Sequence, residues 1–446
     1  MVKRVHIKTY GCQMNERDSE DVACKLKEKG YEIVDSEDVA EIILLNTCSI
    51  REQAEQKAIG KAGHLLSTKK LKKPLILGVI GCMAQNRGEQ LLETLPGLDL
   101  VVGTQKFHRV PKILDEISSG NSFKKDSRVV LENEEGSQNE IKDHFLGNKK
   151  VSSFVSIMQG CNMKCSYCIV PKTRGKERYR SIDEILDEVK LLRDHGTKEV
   201  TLLGQIVNAY GRGVFPRINK KSPFVQLLEA INLVDGIERI RFTSPHPTSF
   251  GTDLIEAFGT MKKLGNYAHL PMQSGSDKIL NSMNRPYTRE KVLRIVHNLR
   301  SVNPSMRLST DIIVGYPGEE QKDFELTKDA FKKANFEMAY IFKYSERKGT
   351  PSSEYPDKIS QSIKESRNQE LLKLLDKQSL RSNQKQIGSK MEVLVEGRAR
   401  KGHNHVMGKT TCYRKVIFEA PKEVIGQLVM VRIINASQST LMGELI

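Results

Sequence analysis

Three thiols stand close together in Gly160-Cys161-Asn162-Met163-Lys164-Cys165-Ser166-Tyr167-Cys168, a C-x3-C-x2-C spacing at the end of a predicted strand. Cysteine thiolates hold iron–sulfur clusters, ordinarily four to a 4Fe-4S cluster. Three leave one iron without a protein donor, so a small molecule can bind there. S-adenosylmethionine is suited to that role through its amino and carboxylate groups. An electron from the reduced cluster can then cleave its sulfonium to a 5′-deoxyadenosyl radical, able to take hydrogen from an unactivated carbon. The rival reading is structural zinc, which wants four tight ligands, usually in paired C-x2-C knuckles. No nearby fourth Cys or His supplies one.

A second set is more dispersed. Tyr10-Gly11-Cys12, Asn46-Thr47-Cys48 and Ile80-Gly81-Cys82 each place a cysteine just past a predicted strand. Strand carboxyl ends of an open parallel sheet converge on one crevice, so these three can meet in space. Three thiolates again suit a 4Fe-4S cluster with one open iron. The competing reading is three ordinary buried cysteines. Cys24 in a helix and Cys412 in the tail read as non-ligands, and the methionines as packing residues.

The elements that must position these residues follow from periodicity and breakers. Residues 1–118 alternate strand and helix: strands at Arg4–Tyr10, Glu41–Thr47, Leu75–Gly81 and Leu98–Val102, and helices at Asn15–Lys29 (Asn15 as N-cap), Arg51–Leu66 and Phe107–Ile117. Residues 119–148 are polar and turn-rich, a linker with one short strand near Val129. Residues 149–345 give six further strands, at Val151–Met158, Glu199–Leu203, Arg239–Thr243, Ala268–Met272, Arg307–Val314 and Met338–Tyr344, with helices between them. Six βα units suggest a partial barrel with its chemistry at the strand carboxyl ends. A charged helix at Gln361–Gln384 precedes a tail of short β runs, Met391–Val395, Lys415–Phe418 and Leu428–Ile434, which reads as a small β-barrel. The expected class is α/β in three parts. These are a parallel α/β domain over 1–118, a linker over 119–148, a partial (β/α)6 barrel with its following helix over 149–378, and a small β-barrel over 379–446.

The cysteine triplet and the turns that follow it resemble the radical S-adenosylmethionine superfamily. Leu202-Leu203-Gly204-Gln205 is similar to the turn near the methionyl end of the cofactor. Ile312-Ile313-Val314-Gly315-Tyr316-Pro317-Gly318-Glu319 is similar to the glycine turn near the adenine. With the strand-end cysteines and the β-rich tail, nearly the whole chain resembles the methylthiotransferases. His6-Ile7-Lys8-Thr9-Tyr10-Gly11-Cys12-Gln13-Met14-Asn15 and Asn46-Thr47-Cys48-Ser49-Ile50-Arg51-Glu52 look like the branch acting on N6-isopentenyladenosine in tRNA. Ser244-Pro245-His246-Pro247 and Pro271-Met272-Gln273-Ser274-Gly275-Ser276 are similar to its barrel motifs. Val395-Glu396-Gly397-Arg398 and Gly426-Gln427-Leu428-Val429 resemble a TRAM domain. One departure is Ile206, where the pattern leads one to expect Asn, so no polar role is carried onto it.

The resemblance implies two 4Fe-4S clusters and S-adenosylmethionine. Cys161, Cys165 and Cys168 hold the radical-forming cluster, Cys12, Cys48 and Cys82 an auxiliary one, and Tyr167, Gly204, Gln205, Gly315 and Pro317 contact the cofactor. It implies replacement of the C2 hydrogen of the isopentenylated adenosine 3′ of the anticodon by a methylthio group. Sibling substrates are threonylcarbamoyladenosine in tRNA and a ribosomal-protein aspartate. An iron–sulfur RNA-binding regulator without catalysis is the alternative of another class.

Charge fits an RNA partner. The 446 residues, about three domains at ~150 each, carry 71 Lys and Arg against 55 Asp and Glu, a net charge of +16. Part of the surplus is local: Lys172, Arg174, Lys176, Arg178 and Arg180 follow the triplet, and the tail holds Arg398 and Arg414. These are candidates for RNA phosphates, with Tyr413 and Phe418 for stacking, since the chain has no Trp. His246 and His269 are candidates for the barrel mouth. No apolar run reaches the ~18 residues of a membrane span. The charged N-terminus does not read as a secretory signal. The expectation is a monomeric cytoplasmic protein drawing on an electron donor and a sulfur source.

Overall fold

A computed structural model describes residues 3–49, 52–69, 75–119, 129–131, 150–402 and 404–446. The expected linker over 119–148 lies outside the described residues except for 119 and 129–131, and so do Ile50 and Arg51 of the Cys48 motif. The chain divides into two compact units. One comprises 1–148, 158–163 and 168–180; the other comprises 149–157, 164–167 and 181–446.

The first unit is built on β1 (Arg4–Tyr10), β2 (Glu32–Ile33), β3 (Ile42–Thr47), β4 (Ile76–Gly81), β5 (Leu100–Val102) and β6 (Val129–Val130). They form one sheet in the order β2-β1-β3-β4-β5-β6, parallel throughout. The sequence of β3 shows why it is central. All six residues are buried, with Ile42 and Leu44 joining one apolar cluster and Ile43 and Leu45 the other. Successive side chains of a strand point to opposite faces, so an unbroken apolar run fits a strand covered on both sides. The helix after β1 runs Gln13–Glu28, with Cys12 at the N-cap. The expected cap, Asn15, instead lies inside the first turn and is buried, because its amide is committed to the neighbouring strand end.

The second unit holds β7 (Ser152–Ser156), β10 (Glu199–Leu203), β11 (Arg239–Phe242), β12 (Tyr267–His269), β13 (Arg307–Val314) and β14 (Met338–Lys343). The intervening pair β8 (Met158–Gln159) and β9 (Arg178–Tyr179) belongs to the first unit. The six barrel strands run as two parallel threes, β11-β10-β7 and β12-β13-β14, with a parallel bridge from Ile240 to Leu264. The helix Gln361–Gln384 follows, as its charge pattern suggests.

The tail closes into a barrel, β15 (Lys390–Arg398), β16 (His405–Thr410), β17 (Lys415–Glu419), β18 (Leu428–Ala436) and β19 (Leu441–Leu445), ordered β15-β16-β17-β19-β18. β16 and β19 give a weak strand signal, with two apolar residues beside a glycine in β16 and three around one in β19. Arginines near the starts of barrel strands hold this tail. Arg239 donates to Lys409 O at 2.6 Å, Arg241 to Thr410 O at 2.9 Å and Thr411 O at 3.1 Å, and Arg307 to Tyr413 O at 2.8 Å.

Candidate iron–sulfur and cofactor site

In the first unit the pairing register sets the strand ends level. Tyr10 pairs with Thr47, and Thr47 with Gly81, across the neighbours β1, β3 and β4. Cys12, Cys48 and Cys82 therefore emerge from three adjacent strand ends. Cys48 N donates to Tyr10 O at 2.9 Å, which ties its loop to the β1 end. Cys48 and Cys82 are buried and Cys12 is half-buried.

Two asparagines hold these ends together. Asn15 Nδ2 donates to Asn46 Oδ1 at 3.2 Å and Thr47 O at 3.3 Å. Asn15 Oδ1 accepts from Cys12 N and from the Cys12 thiol, both at 3.3 Å. This network explains two glycines of the motifs. A Cβ on Gly11 meets Asn15 Oδ1 at 2.3 Å, and one on Gly81 meets Asn46 Oδ1 at 2.3 Å. Gly81 also sits at φ +97°, where side chains other than glycine are strained.

Arg174 is the first of three RNA-phosphate candidates that burial corrects. It was expected to face RNA, yet it is 5% exposed, and its guanidinium grips Asp18 with two hydrogen bonds of 3.0 and 2.5 Å. It ends the short helix Val170–Arg174, which begins two residues past Cys168. Thr104 Oγ1 anchors that helix by donating to Thr173 O at 2.5 Å. The thiols register the charge. Hydrogen bonding from Cys48 lowers Cys12 to about 6, against burial and with help from Arg174. Burial pushes the Cys82 thiol up, and Arg174 opposes it. Burial also raises the Asp18 carboxyl against the pull of Arg174. Both its oxygens are engaged by the guanidinium fork, which is the arrangement of an ionised pair. Among the described residues no three Cys, His, Asp or Glu side chains form a ready-made site for a single ion. A four-iron cubane spreads its thiolates more widely than one ion does, and three adjacent strand ends with a buried cation beside them fit such a group.

Cys161 and Cys168 belong to the same unit. Gly160, at φ +81°, lets the chain pass the 175–176 turn; a Cβ there meets Lys176 O at 1.9 Å. Cys161 N then donates to Gly175 O at 3.0 Å. Asn162 and Glu177 exchange hydrogen bonds of 3.1 Å in both directions. Cys161 is buried and Cys168 half-buried. Arg180 is buried as well, which removes it from the RNA candidates, whereas Lys172 and Lys176 are exposed and Arg178 is half-buried.

The second unit presents Cys165, buried, with Arg285 Nη1 3.2 Å from its sulfur. Arg285 Nε donates to Tyr287 Oη at 2.9 Å, and Tyr287 donates to Pro271 O at 3.0 Å. Despite burial, Tyr167, Tyr287 and Cys165 hold Arg285 well above its usual range. The ring of Tyr167 stands edge-on to Tyr316 at 6.5 Å. Gly315 has φ +70°, and its N–H donates to Glu319 Oε2 at 2.6 Å; Arg367 pairs with the same oxygen at 2.6 Å. Pro317 and Gly204 are buried. Gln205 Oε1 is buried without a hydrogen-bond partner, an acceptor suited to a ligand at the β10 end. Ile206 packs as a buried apolar residue, and Asn208, also buried, exchanges hydrogen bonds of 3.0 and 2.8 Å with the His246 backbone. His246 Nδ1 accepts from Thr248 N at 3.2 Å, and its Nε2 is buried without a partner. Burial, then Arg285, Arg212 and Lys291, push its pKa down to about 2. His269 is bound on both nitrogens, to Ser309 at 2.7 Å and Asp311 at 3.1 Å.

The tail candidates need a further correction. Arg414 is buried and pairs with Glu337 at 2.6 Å. Tyr413 stacks on Tyr267 at 4.9 Å, and Phe418 lies in the barrel core. These residues fasten and fill the tail; Arg398 remains exposed.

A parallel six-stranded barrel with a C-x3-C-x2-C loop and glycine turns at its strand ends defines a radical S-adenosylmethionine enzyme, and residues 155–331 match the radical SAM superfamily. Residues 4–103 match the uncharacterized protein family UPF0004, and 384–446 the TRAM domain. The chain belongs to the family of tRNA-2-methylthio-N(6)-dimethylallyladenosine synthases. It is 52% identical to the protein of that name from Opitutus terrae, with 100% of this chain and 98% of that protein covered. It is 46% identical to the one from Akkermansia muciniphila (99% and 98%) and 48% to the one from Methylacidiphilum infernorum (98% and 94%). In fold it is similar to the radical S-adenosylmethionine methyltransferase TsrM from Kitasatospora setae. The TM-score there is 0.59, the identity 12%, and 79% of this chain and 74% of that one are covered. The cobalamin-dependent radical enzyme OxsB gives a TM-score of 0.54 at 11% identity, covering 82% and 56%.

Proposed function

We propose that this chain converts N6-dimethylallyladenosine of a tRNA, beside the anticodon, to its 2-methylthio derivative. The observation that carries the reading is similarity over the whole chain, at 52% identity, to a synthase named for that product. Two 4Fe-4S clusters and S-adenosylmethionine supply the reductive radical chemistry and the methylthio group, which a C2–H bond requires because it is neither acidic nor readily attacked. The chain's own residues bind and position. Cys161, Cys165 and Cys168 would hold one cluster, with Arg285 donating to the Cys165 sulfur. Cys12, Cys48 and Cys82 would hold the other, on strand ends fixed by Asn15 and Asn46. Gln205 Oε1 and the Gly315 turn would receive the cofactor, with Tyr167 beside it. Lys172, Lys176, Arg178 and Arg398 would meet tRNA phosphates.

The parts divide the work: 1–118 carries the auxiliary cluster, 149–378 generates the radical and 379–446 grips RNA. Electrons and replacement sulfur come from outside the chain, which acts as a cytoplasmic monomer. Among the described residues no helix is long and apolar enough to cross a membrane. The test is nucleoside mass spectrometry of tRNA from cells with and without the protein. Loss of the methylthio mark from isopentenyladenosine alone is expected; an unchanged mark, or loss from threonylcarbamoyladenosine instead, refutes the assignment. Anaerobic reconstitution should load about eight irons per chain and about four in Cys48→Ala.

A further inference from the structure

We propose that the loop between β10 and the helix Pro223–Asn232 is a wedge for the RNA: Val214 and Ile218 enter the base stack beside the target adenosine and hold that base out of it. This rests on the substrate reading given above. The C2 edge of that adenine lies among stacked neighbours, and enzymes that act on a base draw it out of the stack first. Apolar side chains slipped between bases are a recurring means of doing so. The loop stands at the carboxyl ends of the barrel strands. Val207 N at its root donates to Ser244 O at 3.2 Å, and Arg212 donates to Ser249, both past the end of β11. The cofactor turn Gly204-Gln205 precedes it directly.

Val214 is 62% exposed and Ile218 53%. One exposed apolar residue is ordinary; two on a braced loop framed by cations are not explained by packing of the barrel. The bracing is specific. Gly211, at φ +69°, turns the chain so that Val214 N and Phe215 N donate to its carbonyl at 3.0 and 2.8 Å. Phe215 packs on Tyr210 with ring centroids 5.6 Å apart. Gln226 Nε2 donates to Pro216 O at 3.0 Å and Lys221 O at 3.1 Å. A wedge fixed beforehand loses little freedom on binding. Ile218 and Lys221 bridge around Asn219 and Lys220, which sit at φ +51° and +64°. That is a hairpin turn in which glycine usually takes the second place; here an exposed lysine holds it. From Gly211 to Lys221 the chain carries Arg212, Arg217, Lys220 and Lys221 and no acid. Glu229 pairs with Lys221, and Asp253 lies 3.7 Å from Arg217, while Arg212 and Lys220 have no carboxylate partner among the described residues. Apolar tips between such cations match a nucleic acid, whose phosphates flank its stacked bases.

The experiment uses full-length reconstituted protein and an anticodon stem–loop RNA carrying N6-dimethylallyladenosine, with 2-aminopurine as its 3′ neighbour. Stacking quenches 2-aminopurine, so its fluorescence reports an opened step. The variants are Val214→Ser combined with Ile218→Ser, which blunts the tips, and Lys220→Asn, which removes the charge and tolerates the positive φ. All three positions are exposed, so melting temperatures should match wild type. Wild type should raise the fluorescence on binding. The blunted pair should bind the RNA within about threefold of wild type, lose the rise and form methylthio product at least about tenfold more slowly. Lys220→Asn should keep the rise while weakening binding and lowering the salt slope by about one. A full rise and full rate in the blunted pair would overturn the wedge and leave the substrate reading standing. A wild-type dimer that blunting disperses would assign the tips to a second copy of the chain and overturn it as well. No methylthio product from wild type would refute the substrate reading and the wedge with it.

Discussion

Asn15 and Asn46 are joined in both directions: Asn15 Nδ2 donates to Asn46 Oδ1 at 3.2 Å, and Asn46 Nδ2 donates to Asn15 O at 2.8 Å. One asparagine stands three residues after Cys12 and the other two before Cys48. The pair thereby fastens two cysteine-bearing strand ends whose sequences are far apart. Asn46→Ala leaves buried polar groups unmatched at about 1–3 kcal/mol. The melting temperature should fall, and the iron bound per chain should drop towards that of Cys48→Ala. Full iron loading in a destabilised variant would separate the asparagine from the cluster.

Gly81→Ala should be worse than its size suggests. The added methyl meets Asn46 Oδ1 at 2.3 Å and Thr47 O at 2.7 Å, at a φ of +97°. Gly30, also at positive φ but with open space around it, is the control. Thermal melts should show Gly81→Ala well below Gly30→Ala, with only the former losing iron.

Arg285→Gln removes the donor 3.2 Å from the Cys165 sulfur. A charge-assisted hydrogen bond contributes about 1.5–3 kcal/mol, so reductive formation of 5′-deoxyadenosine should fall at least about tenfold. Auxiliary iron should be retained. Wild-type cleavage in this variant would remove Arg285 from the radical site.

His246 makes a prediction about acid. Its folded pKa, down to about 2, lies below the ~6.5 of an unfolded histidine. Between those values only the unfolded chain takes up the proton, so stability falls as pH drops below ~6.5, by about 1.4 kcal/mol per unit. His246→Asn keeps a side-chain acceptor for Thr248 N and cannot titrate. Its stability, measured by urea unfolding from pH 7 to 4, should decline less steeply than that of wild type; parallel curves would contradict the assignment.

The basic residues should separate into two groups. Lys172→Ala, Lys176→Ala and Arg398→Ala, all at exposed positions, should weaken tRNA binding and each reduce the salt slope by about one. Arg414→Ala removes the nearer of the two guanidiniums on Glu337, leaving Arg307 at 3.5 Å, and should cost about 1–3 kcal/mol of stability. Filter binding across a salt series, alongside melts, distinguishes the groups.

The cysteine motifs, a strand ending at Thr47 (Glu41–Thr47 from the sequence, Ile42–Thr47 in the fold) and the helix Gln361–Gln384 are readable from the chain alone, because spacing and apolar periodicity are local properties. That local grammar also placed each cysteine of the second set at a strand end. It could not say that β1, β3 and β4 are neighbours in level register, since pairing order depends on contacts between distant segments. Asp18 carried a signal, a charge on the buried stripe of its helix, but the signal has meaning only once Arg174, 156 residues away, is seen to meet it. Arg174, Arg180 and Arg414 show the same limit from the other side. A guanidinium looks alike in sequence whether it faces phosphate or a buried carboxylate, and only tertiary burial decides which.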